Sequence, residues 1–149
     1  MRTLLPKGWK RPKGYANGIE AQGRLVFVAG QIGWNAEEAF ETDDLAAQTR
    51  QALRNVMAVI AEADAKPHHI VRMTWYIVDK HEYRTKAKEI GGAYREVMGS
   101  HYPVMSLVEV KALLEDRAKV EIEATAVIPA AGRARPPGAG LSSRSRSSR

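Results

Sequence analysis

The spacing of apolar residues between Leu45 and Ile60 constrains this chain more than any other feature. Leu45, Gln48/Thr49, Ala52/Leu53, Val56/Met57 and Ile60 recur at three- and four-residue steps, the pattern of a helix that buries one face. Asp43 and Asp44 supply acids suited to its start, and the pattern lasts to about Ala63. Tyr83, Ala87, Ile90, Tyr94 and Val97 mark one face of a second helix, which should end near Gly99. The rest of the regular structure is short and β-like. Leu25–Ala29 is β-branched and aromatic, and Gly18–Gln22 precedes it across Gly23-Arg24, a dipeptide suited to a hairpin loop. Ile70–Val78 is too short for a long helix and dense in β-formers. Val104–Val110 and Val120–Ile128 are two further strands, joined by the polar stretch 111–119.

The order is therefore ββαβαββ, an α+β domain with both helices on one face of one mixed sheet. In Leu25–Ala29, and in much of Ile70–Val78, both alternating faces are apolar. A sheet covered by helices on one side would then expose an apolar patch on the other, which a second subunit is expected to cover.

The net charge of +6 invites a nucleic-acid partner, but its distribution argues against one. Residues 1–13 carry five basic and no acidic residues, 130–149 carry five arginines and no acids, and 14–129 is left with a net charge of −4. Three segments follow: a basic N-terminal arm (1–13), one domain (14–129), and an Arg/Ser/Pro-rich tail (130–149) with too little to bury to be ordered. No apolar run reaches membrane-spanning length, and the start lacks the apolar run of a secretory signal. Cysteine is absent, which excludes disulfides and thiolate sites and agrees with a reducing cytoplasm. His68 and His69 are adjacent without a third ligand at metal spacing. Neither a phosphate loop nor a dinucleotide fingerprint is present, so no metal or cofactor is expected.

Five stretches, in order, resemble the RidA (YjgF) family: Gly14-Tyr-Ala-Asn-Gly18, Leu25-Val-Phe-Val-Ala-Gly-Gln-Ile32, Gln48-Thr-Arg-Gln-Ala-Leu-Arg-Asn55, Pro103 to Val110, and Val120-Glu-Ile-Glu-Ala-Thr-Ala-Val127. The resemblance implies a chorismate-mutase-like fold, a homotrimer with a central barrel, and a small-molecule cleft between neighbouring subunits. It also implies metal-free hydrolysis of reactive enamines or imines to a keto acid and ammonia. Glu121 matches the family acid that positions or activates water, with Glu123 two residues on along the same strand face. Tyr15 matches a cleft tyrosine, although Lys13-Gly14 precedes it here where the family has Gly-Pro. Gly30 and Gln31 match the loop after the second strand, where a backbone amide approaches the ligand. Pro103-Val-Met-Ser106 matches the segment that holds the substrate carboxylate.

Two departures stand out. Met105 occupies the position where active deaminases of the family carry an arginine, and a thioether offers neither charge nor donor. Arg72 or Arg117 could supply a replacement charge. Trp34 stands where proline is frequent and would give a cleft a flat apolar wall. With Ser106, these residues complete a candidate site of Tyr15, Gly30, Gln31, Trp34, Met105, Ser106 and Glu121, and they point to a more apolar ligand than a small imino acid. Two other functions stay open: a ligand-binding or regulatory trimer that has lost catalysis, and an RNA-binding or endoribonuclease-type protein supported only by basic ends.

Overall fold

Helix α1 (Leu45–Ala61) begins where the sequence expects it. The Asp44 carboxylate accepts the Ala47 N–H at 2.9 Å, satisfying one of the donors that a helix start leaves free. Its inward face, including Leu45, Ala52, Leu53, Val56 and Ile60, is fully buried or nearly so. A reversal through Asp64, at φ +59, and a short 3-10 turn at Pro67–His69 bring the chain into the sheet. His69 Nδ1 accepts the Lys66 N–H there, so this histidine is used in the turn. The computed structural model describes residues 1–131; the tail expected to be disordered lies almost wholly outside the described residues.

Strands β3 (Arg24–Ile32), β4 (Ile70–Ile77), β5 (Val104–Glu109) and β6 (Val120–Ile128) form a mixed sheet in the order β3-β6-β4-β5. Antiparallel β3–β6 and β6–β4 ladders are joined to a parallel β4–β5 pair, as the helical crossover between β4 and β5 requires. Alternation sorts the side chains. Ile70, Met73, Trp75 and Ile77 of β4, with Val120, Ile122, Ala124 and Ala126 of β6, face the helices and make the core. The other face is left open, with Leu25 59% and Phe27 73% exposed on β3. On β4 that open face is Arg72, Thr74 and Tyr76, more polar than Ile70–Val78 suggests, because Val71 falls in an irregularity of the β4–β6 register.

Two expectations need correction. Gly18–Glu20 (β2) does not pair with β3. It pairs with β1 (Arg2–Leu4), with Arg2 opposite Glu20. The reason lies at Gly23, whose φ of +153 is not that of a tight hairpin turn. A Cβ there would lie 2.1 Å from the Ile128 carbonyl, so the corner is pressed against the end of β6 and the preceding chain leaves the sheet. The second helix is also broken in two, α2 (Lys80–Thr85) and α3 (Ala87–Met98). Lys86 sits between them at φ −99, ψ 15, with its ammonium drawn to Asp44. Since only one residue interrupts the path, the apolar period survives the break. Gly99 at φ +64 then ends α3, in a conformation that glycine adopts at little cost.

Candidate functional site

The predicted site residues fall into two groups on opposite edges of the sheet. The first lies where β3 bulges. The register with β6 shifts between Val28 and Gln31, so β3 carries an extra residue there and bends. Gln31 spans the bulge, its side-chain amide donating to the Ala29 carbonyl at 3.2 Å. A Cβ on Gly30 would lie 2.0 Å from Glu121 Oε1, 2.7 Å from its Cδ and 2.8 Å from its Cγ. Glycine is thus what lets the Glu121 side chain lie against the β3 backbone.

The two glutamates of β6 are in different states. Glu123 accepts the Tyr76 hydroxyl at 3.0 Å, and that bond, with the desolvation around it, raises the Tyr76 phenol above its ordinary range. Glu121 is half-buried and, among the described residues, makes neither a hydrogen bond nor an ion pair. A carboxylate held by close packing but not occupied by a partner is free to accept a proton from a bound water.

The second group lies on β5. Ala16 bridges Val104 in parallel and donates its N–H to the Pro103 carbonyl at 3.0 Å. This places Tyr15, 43% exposed, in a cleft with Asn17, His101 and Tyr102. Met105 lies in an adjoining cavity of about 340 Å³, and Gly14 and Tyr102 line both. Met105 and Leu107 pack toward the core, so Ser106, opposite Thr74 in the β4–β5 register, belongs to the open face. The strands β3 and β5 are three inter-strand spacings apart, about 14 Å. One chain therefore joins Gly30 with Glu121 and Tyr15 with the Met105 region, and does not join the two pairs.

Trp34 packs against Phe40, ring centroids 6.0 Å apart, within the loop that follows β3. Asn55 donates to the Ile32 and Trp34 carbonyls at 3.0 and 2.8 Å. Gln48, fully buried, donates to the Thr42 and Arg117 carbonyls and accepts the Lys119 N–H. The polar residues of the Gln48–Asn55 stretch thus tie the loop and the β5–β6 connection to α1. Asn55 holds the end of β3, just past its bulge, against α1.

Neither arginine considered as a substitute for the charge missing at Met105 lines its cavity, although Arg72 lies opposite the neighbouring Val104 in the β4–β5 register. Arg117 donates to Asp43 at 2.9 Å and lies 5.5 Å from the Phe40 ring. Arg72 is on the open face beside Thr74 and Glu123. The cations that do line the Met105 cavity are Lys13 and Arg95, in company with Trp75, Tyr83, Ile90 and Gly91. The sequence reading missed these. A faint signal was present in Gly91-Gly92, a pair that weakens a helix interior without serving as a cap.

The family described as endoribonuclease L-PSP matches residues 9–128. The 2-iminobutanoate/2-iminopropanoate deaminase of Escherichia coli (strain K12) is 34% identical over 116 residues, covering 76% of this chain and 86% of that protein. A RutC family protein of Haemophilus influenzae is 35% identical over 105 residues, 70% of this chain and 80% of that one. Among solved structures, YyfB of Yersinia pestis, of the conserved Rid protein family, superposes with a TM-score of 0.76 at 31% identity, covering 85% of this chain and 98% of that chain. E. coli TdcF with bound serine superposes with a TM-score of 0.62 at 29% identity, covering 86% and 99%. A family match across nearly all of the folded part, relatives above 30% identity and a shared architecture agree: the chain belongs to the RidA (YjgF) family.

Proposed function

We propose that this protein is a hydrolytic deaminase of reactive enamines or imines, assembled as a trimer, with its site completed where two copies meet. The observation that carries the reading is the Glu121 carboxylate, packed against Gly30 and left without a partner among the described residues. The exposed Leu25 and Phe27 support assembly, since an apolar sheet face in water favours burial by another copy. The division of the site residues between opposite sheet edges supports it too. A neighbouring chain that sets its β3 edge beside β5 brings Gly30 and Glu121 to Tyr15 and Met105.

The chemistry follows from the groups. Water attacks the carbon of a protonated imine while Glu121 takes a proton from that water, giving a carbinolamine. The carboxyl then returns the proton to nitrogen, the C–N bond breaks as the C–O bond becomes a carbonyl, and the hydroxyl proton leaves with the ammonia. Tyr15 offers a hydroxyl to the substrate's polar end. Met105 in place of a cation removes a charge-assisted contact of about 1.5–3 kcal/mol, so small imino acids bind weakly and apolar ones are favoured.

The test is ammonia release from imines formed in situ by an amino-acid oxidase, comparing alanine-derived with aromatic substrates, together with light scattering. The expected results are a trimer, faster turnover of the aromatic imine, and loss of turnover in Glu121→Gln. A monomer, or a Glu121→Gln protein as active as the wild type, refutes the reading.

A further inference from the structure

The cavity beside Met105 contains a charge and a donor that no part of the mechanism above uses. Arg95 lies on the exposed face of α3, and its guanidinium folds back one turn, so that a Cβ on Gly91 would lie 3.3 Å from Nη1. Among the described residues Arg95 forms no ion pair, whereas its neighbour Glu96 is taken by Arg50 and Arg54. Lys13, also exposed, lines the same rim. Deeper in the wall is Trp75. It is 2% exposed, and among the described residues its indole Nε1–H has no hydrogen-bond partner, which is costly for a buried donor and uncommon. The Tyr94 ring stands 6.2 Å from it, and the Tyr94 hydroxyl is spent on the His101 carbonyl. Gly91 removes the side chain that would otherwise crowd the opening.

We propose that this cavity is the side-chain subsite for an aromatic carboxylate. Arg95, with Lys13, holds the carboxylate at the rim in place of the cation missing at Met105. The aromatic ring enters between Met105 and the tyrosines, and an acceptor at its far end takes the Trp75 N–H. The parts fit one ligand. A guanidinium pairs with a planar carboxylate through two parallel bonds, a volume of about 340 Å³ is within the range of small-molecule sites, and a buried donor left unpaired among the described residues calls for an acceptor and not for another methyl group. This subsite rests on the deaminase reading for its purpose, but its ligand contacts are made by groups other than Glu121.

The test uses the full chain and two probes of equal shape, 4-hydroxyphenylacetate and 4-methylphenylacetate, with affinities measured by calorimetry. The hydroxyl compound binds the wild type about five- to tenfold more tightly, the worth of one hydrogen bond. In Trp75→Phe that ratio falls to about one. As a ratio within one protein, it cancels any loss of affinity common to both probes. Arg95→Gln, on an exposed position, weakens both probes about tenfold or more. The proposal is overturned if neither probe binds at millimolar concentration, if the ratio survives Trp75→Phe, or if Arg95→Gln has no effect. Failure here while Glu121→Gln abolishes ammonia release sinks the subsite alone. Probe binding in a protein whose turnover ignores Glu121 sinks the deaminase reading alone.

Discussion

Replacing Gly30 by alanine gives the sharpest check on the role of Glu121, because the perturbation touches that side chain without altering it. The added methyl carbon would lie 2.0 Å from Oε1 and under 3.0 Å from both Cδ and Cγ, so no rotation of the carboxylate group alone relieves the clash. The whole side chain must swing away, and Oε1 must retreat by about 1 Å merely to reach a 3.0 Å contact. A half-exposed glutamate can do this by changing rotamer, at a cost of about 0.5–1.5 kcal/mol, so the fold survives. Catalysis is far more sensitive: a misplacement of about 1 Å costs on the order of 100-fold, and losing a general base costs about 100- to 10,000-fold. Gly30→Ala should therefore unfold within about 1.5 kcal/mol of the wild type in urea and release ammonia from an imine about 100-fold more slowly or worse. Wild-type turnover in a stable Gly30→Ala protein would refute the claim that Glu121 works from this position. A loss of several kcal/mol would show instead that the bulge is a folding element.

Phe27→Asp places a charge on a side chain that is 73% exposed in one chain, so circular dichroism should change little while light scattering reports dissociation to monomer. Gln48→Ala strands the Thr42 and Arg117 carbonyls and the Lys119 N–H, and urea unfolding should show a loss of about 2–4 kcal/mol. Gly91→Ala and Gly92→Ala should each stabilise α3 by about 0.4–1 kcal/mol, but only the first, 3.3 Å from Arg95, should weaken binding of an aromatic carboxylate. The hydrogen bond from Lys86, and then that from the Ala47 N–H, hold the Asp44 carboxyl below the ordinary aspartate range. A depressed folded value means that the pair contributes above about pH 4 and fades as pH falls through that lowered value. Wild type and Asp44→Asn, which keeps a helix cap, should differ by less than about 1 kcal/mol at neutral pH, the pair being partly exposed, and converge in acid.

Local physics was legible in the chain. The three- and four-residue steps of Leu45–Ile60, the acid at Asp44 and the β-branched runs at Ile70 and Val120 placed helix α1 and the main strands, because helix and strand each impose a period on whatever they bury. Gly23 misled for a related reason. A glycine before a strand reads as a hairpin turn, and only the nearby Ile128 carbonyl shows that the residue is needed for close approach.

The sequence by itself determined the family, the two classes of element and the residue types of the candidate site, since these are properties of neighbours along the chain. Tertiary structure alone decided that Glu121 lies on Gly30, that Arg72 and Arg117 stay outside the cavity beside Met105, and that Arg95 and Trp75 share it. Those relations join residues from 10 to 91 positions apart, and their distances follow from strand order and register. A list of residues leaves that order open until the ladders have formed.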